Sequence, residues 1–173
     1  MTEQLQSDFD KTIRNLDISD KEIQFKKSSL NKFIGSGFPN RKQEDWKFLD
    51  ISQIIKKKIS ELSFFNDYSL PNEIDPSIFV DDLEHNKIIF INGRIEKIDF
   101  NYEDKDKIEI NDEIEKKISF DYKNSLIDLN RAFTIKVFKI SVKKNYSLKK
   151  PLIIYHSTND KISQKNVNLR LYF

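Results

Sequence analysis

The chain has 173 residues, 38% of them hydrophobic, enough to bury a core in one domain or in a small domain plus part of another. Its 30 basic and 28 acidic residues nearly cancel and are interleaved along the sequence, a pattern that argues against a nucleic-acid or membrane-surface partner. There is no cysteine, so disulfides and thiolate ligation of a metal or cluster are excluded.

Residues 1–16 contain Glu3, Asp8 and Asp10 and lack an apolar stretch of signal-peptide length, and no later run approaches the ~18 apolar residues of a membrane-spanning helix. The expected location is the cytoplasm. Leu5, Phe9, Ile13 and Leu16 recur at helical spacing and predict a first amphipathic helix. Ser19 with Glu22 then reads as a capping box, with Ile18 as a staple, opening a second helix that buries Ile23, Leu30, Phe33 and Ile34. Gly35 and Gly37 followed by Pro39 end that helix, since glycine suits the left-handed cap and proline prevents continuation. The opening is thus a helical hairpin.

Between Asp45 and Leu62, the positions of Trp46, Leu49, Ile54 and Ile55 fit one or two short helices, and Pro71 and Pro76 punctuate a loop-rich connection. From Lys87 the character changes. Ile88–Ile91 is a short apolar run, Asn92-Gly93 is a hairpin turn signal, and Ile95 and Ile98 lie on the returning strand. Lys123–Phe133 predicts a further short helix with Leu126, Leu129 and Phe133 in register. Ile135 and Val137 alternate, the phase slips at Phe138, and Ile140 and Val142 continue, as in a strand with a bulge or with both faces covered. Pro151 introduces a strand over Leu152–Tyr155. Val167, Leu169, Leu171 and Phe173 share one face of the cleanest period-two stretch, which ends in mid-alternation and reads as an open strand edge of a chain cut short or covered by a partner.

The segment Gly37-Phe38-Pro39-Asn40-Arg41-Lys42-Gln43-Glu44-Asp45-Trp46-Lys47-Phe48 resembles the stretch with which SufD proteins leave their first helical hairpin. Three further pieces follow in family order. Phe90-Ile91-Asn92-Gly93-Arg94 resembles the strand-turn element of the family, and Leu129-Asn130-Arg131-Ala132-Phe133 resembles its "LNxAF" helix. Ile140–Lys144, with Lys150-Pro151-Leu152-Ile153-Ile154-Tyr155-His156, resembles its first β-helix strands. Where many relatives carry Asp-Gly shortly after the helix, this chain has Lys136-Val137.

The resemblance spans almost the whole chain, although SufD proteins are much longer. It implies an α+β fold: a helical amino-terminal region over residues 1–84, then a β-hairpin, short helices and the first rungs of a truncated right-handed parallel β-helix over residues 85–173. It also implies a scaffold subunit of iron–sulfur cluster assembly that docks a SufB-like paralogue and a SufC-like ATPase. The ATPase-docking helices and cluster-site residues of the family lie beyond this segment, so no cofactor, metal or catalytic residue is carried over. In the family complex, iron–sulfur clusters and ATP are handled through the partners.

Taken residue by residue, the bland readings prevail. Trp46 is a packing anchor, and Arg41 and Lys42 beside Glu44 and Asp45 solvate a loop. Phe64-Phe65 is core or hinge packing. His85 and His156 are the only histidines and have no companion ligands in sequence, so no metal site is expected. Three glycines leave no phosphate-binding loop, no nucleophile–base–orienter set can be assembled, and Asn145-Tyr146-Ser147 lacks the secretory context its glycosylation triplet would need. The alternative is a stand-alone β-solenoid module binding an extended ligand such as a glycan, which needs repeated aromatic or carboxylate ladders that the strands do not show.

Overall fold

In the computed structural model, which describes residues 2–58, 63–64, 73–113, 124–162 and 165–173, the two predicted helices form as helix α1 (Thr2–Arg14) and helix α2 (Asp20–Ser36), each packing on helix α4 (Ser125–Phe133). Ser19 caps α2 as predicted: its hydroxyl oxygen accepts from the Glu22 N–H, and the Glu22 carboxylate accepts from the Ser19 N–H at 2.9 Å. Gly37 ends the helix with φ 67°, a conformation open to glycine at little cost, and its N–H donates back to the Phe33 carbonyl. The following segment holds a 3-10 turn, Glu44–Trp46, and helix α3 (Ile51–Lys58), capped by Asp50, whose Oδ1 accepts from the Ser52 hydroxyl and the Gln53 N–H. Helix α4 (Ser125–Phe133) is capped by the Asn124 side chain.

The strands are β1 (Asn86–Ile91), β2 (Arg94–Asp99), β3 (Ile108–Glu113), β4 (Val137–Val142), β5 (Leu152–Ser157) and β6 (Arg170–Tyr172). They form two three-stranded sheets, ordered β2-β1-β5 and β3-β4-β6, and in each the first pairing is antiparallel and the second parallel. The fold is therefore α+β with small mixed sheets, and no closed solenoid coil is formed among the described residues. Asn92-Gly93 makes the predicted hairpin turn, with both residues at positive φ as a type I′ turn requires. The bulge falls in this hairpin, where Glu96 is the extra residue between the Phe90–Ile95 and Ile89–Lys97 pairs. β4 keeps unbroken register with β3; adjacent Val137 and Phe138 are both buried at its start, whereas Lys139 and Val142 further along are exposed.

The chain divides into two units whose segments interleave along the sequence. The first combines Met1–Asn66, Ile114–Lys136 and Gln164–Leu169. Its core gathers Leu5, Phe9, Leu30, Phe33, Phe64, Leu129, Ala132 and Phe133, with Phe133 meeting Phe9 edge-on at 6.1 Å and lying parallel to Phe64 at 3.5 Å. Ala132, the only alanine, is fully buried in that core.

The second unit takes Asp67–Glu113, Val137–Ser163 and Arg170–Phe173, and so holds both sheets. Ile88 and Phe90 occupy one face of β1, and Phe90 meets Phe138 of β4 at 5.4 Å. Ile89 and Ile91 occupy the other face with Tyr155, under Ile74, Ile78 and Phe79. The predicted final strand is shorter than its alternation. Asn166 donates through backbone and side chain to the Ser63 carbonyl and bridges Phe64, Asn168 accepts from Asn130 at 3.5 Å, and ladder pairing begins only at Arg170. Pro71, Phe65 and the start of the predicted helix at Lys123 lie outside the described residues.

Candidate functional site

The densest polar constellation is built around Glu103, in the turn after β2. Its Oε1 accepts from Asn86 Nδ2 at 2.7 Å, Lys149 N–H at 3.0 Å and Lys150 N–H at 3.2 Å. Its Oε2 accepts from the Tyr146 hydroxyl at 2.7 Å and shares the Lys149 N–H. The Tyr146 hydroxyl accepts in turn from the Asp104 N–H, Lys149 pairs with Asp104, and Lys150 pairs with Glu84. Burial pushes the Glu103 carboxyl up, but the hydrogen bonds from Tyr146, Asn86, Lys149 and Lys150 outweigh it and bring the pKa from 4.5 to about 2. Burial and the neighbouring carboxylates push the Tyr146 phenol up.

A carboxylate so occupied stays ionised, is a poor base and has few lone pairs left for a substrate. Its effect is mechanical: it fastens the 146–150 loop to the start of β1. Asn86 completes the fastening, since Nδ2 also donates to the Lys150 carbonyl and its N–H to that of Pro151. At the far end of β1, Asn92 donates to Asn159 Oδ1 at 2.8 Å and accepts the Asn159 N–H at 3.1 Å.

His85 is 3% exposed. Its Nδ1 lies against the Leu83 carbonyl, which can only accept, so Nδ1 carries the proton and Nε2 accepts from the Tyr155 hydroxyl at 2.6 Å. That hydroxyl accepts from the Val80 N–H at 3.1 Å. The chain of bonds holds residues 80–85 over β5 and presents no nucleophile. Lys26 is buried in the first unit, and its Nζ donates to the Thr134 and Arg131 carbonyls at the end of α4, where a cation suits the helix dipole.

Among the residues weighed from sequence, Trp46 is half-buried in its 3-10 turn, and Arg41, Lys42, Glu44 and Asp45 are exposed, with Glu44 paired to Lys47. Phe64 is in the core. His156 is exposed on β5, and partial desolvation lowers its pKa. Asn145 takes φ 66° in the turn before Tyr146. His85 and His156 are not brought together with acidic side chains, and no group of three or more His, Asp or Glu is placed to hold a metal among the described residues. Sequence reasoning did not find Asn86, Glu103 or Tyr146, which converge from distant segments and share no local motif. Among the described residues no helix is long and apolar enough to cross a membrane. No protein-family model matches this sequence, and no curated protein is significantly similar to it.

Proposed function

We propose that the chain is the amino-terminal part of a SufD-like scaffold in iron–sulfur cluster assembly, acting in the cytoplasm by docking partners and not by catalysis of its own. The observation that carries the reading is the order in which strands are laid down. The chain passes from β4 in one sheet to β5 in the other and back to β6 in the first, and β5 and β6 each join in parallel to a strand already present. Winding of this kind is how a parallel β-helix begins, and parallel crossovers are almost always right-handed.

The motif pieces lie at element boundaries of this chain. The Pro39–Phe48 stretch follows the α2 cap, Asn92-Gly93 turns β1 into β2, Leu129–Phe133 ends α4, and Lys150-Pro151 leads into β5. On this reading the β-helix is a docking surface for a SufB-like paralogue, a SufC-like ATPase joins the complex, and clusters and ATP belong to the assembly. The test is anaerobic co-expression of the full-length protein with a SufB-type paralogue and a SufC-type ATPase. Co-purification of both is expected; recovery of the protein without either contradicts the reading.

A further inference from the structure

Asn92 is the only asparagine of the chain that is followed by glycine. Such a pair is prone to spontaneous deamidation, because glycine has no side chain to shield its amide nitrogen from the neighbouring carboxamide and its backbone turns freely toward it. The pair forms the tip of the β1–β2 hairpin, with Asn92 at φ 52° and Gly93 at φ 81°. Asn92 is nevertheless only 1% exposed, and one residue holds both ends of its carboxamide. Nδ2 donates to Asn159 Oδ1 at 2.8 Å, and Oδ1 accepts the Asn159 N–H at 3.1 Å. The Asn92 N–H donates to the Ser157 carbonyl at 3.0 Å. Asn159 is itself fixed at the start of the 3-10 turn Asp160–Ile162, where its carbonyl accepts from the Ile162 N–H at 3.2 Å.

We propose that Asn92 is a modification site, deamidated spontaneously by closure onto Gly93, and that Asn159 is the guard that sets the rate. In the reaction the Gly93 nitrogen bonds to Asn92 Cγ, the Cγ–Nδ2 bond breaks, and Nδ2 leaves as ammonia, taking up the proton that the Gly93 nitrogen gives up. Water then opens the cyclic imide: attack at Cγ gives aspartate, and attack at the backbone carbonyl gives isoaspartate, with the chain running through Cγ. Closure requires the carboxamide to turn its face to the Gly93 nitrogen, and the two bonds to Asn159 hold that plane elsewhere. Both products lose the Nδ2 donor. Isoaspartate also adds a methylene to the backbone of a two-residue turn whose geometry has no place for it. Because the reaction runs one way, each local opening of this end of β1 risks unfastening the clamp to the β5 side for good. The site is independent of the scaffold reading.

The 173-residue chain, incubated at neutral pH folded and in urea, tests the proposal when the tryptic peptide Ile88–Arg94 is followed by mass for conversion of amide to acid. Folding is expected to slow the conversion at least ~10-fold, since it proceeds only through local opening. Asn159→Ala, confirmed folded by far-UV circular dichroism, is expected to recover most of the urea rate, whereas Asn159→Asp, which keeps an acceptor and the backbone donor, stays slow. If the alanine variant does not fold, Asn159→Gln, whose amide is set one methylene too far, takes its place. Equal rates for the folded chain and the chain in urea, or a folded alanine or glutamine variant no faster than wild type, overturn the proposal.

Discussion

Asn86 and Asn92 stand at the two ends of β1, and each ties that strand to the segment carrying its parallel neighbour β5. Parallel strands have no tight turn to set their register, so side-chain clamps at both ends supply what a hairpin loop supplies elsewhere. Asn92→Gly keeps the positive φ of the turn and removes the side-chain clamp. It is expected to increase amide exchange along β5 while leaving the β1–β2 ladder protected, which residue-resolved hydrogen exchange measures. Glu103 makes the β1 clamp pH-dependent. Its folded pKa is depressed, so its contribution is present above the ordinary value of 4.5 and is lost as pH falls through about 2. Denaturant midpoints measured across that window should fall for the wild type and change less for Glu103→Gln, which starts lower at neutral pH. Neither clamp was legible in the sequence, because an asparagine or glutamate has no periodicity to betray it and its partners lie far along the chain.

The helices were the most legible elements, since their signals are local. Ser19, Glu22, Gly37 and Asn92-Gly93 all act where a rule of short range places them. Ser19→Ala is expected to cost ~0.5–2 kcal/mol by chemical denaturation, and Ser19→Asp to recover most of that loss. α2 and α4 share the core around Phe133, whose ring meets both Phe9 and Phe64; Phe133→Ala should destabilise the first unit by ~3–5 kcal/mol in the same measurement. Strands were read less well where apolar residues were few. β3 escaped notice because Ile108 and Ile110 are its only apolar side chains among Glu109, Asn111, Asp112 and Glu113. The 167–173 alternation promised one long strand, but Asn166 and Asn168 bond to Ser63 and Asn130, and only Arg170–Tyr172 joins β4. Periodicity describes which faces a segment can offer; competing side-chain bonds decide how much of it pairs.

At the scale of the molecule, pairing runs between segments far apart in the chain. Each unit collects three segments that alternate along the sequence with those of the other. The candidate site was correspondingly obscure: sequence reasoning named no catalytic, cofactor or metal residue, and the polar clusters fasten loops to strands. The proposed scaffold needs β5 parallel to β1 and β6 parallel to β4. Inter-strand NOEs on the isotopically labelled chain test that arrangement most directly. The predicted cross-peaks connect Ile88 with Ile154 and Phe138 with Leu171, with the register advancing in the same direction along both strands of each pair. Contacts that advance in opposite directions, or none between β1 and β5, would contradict the winding on which the functional reading depends.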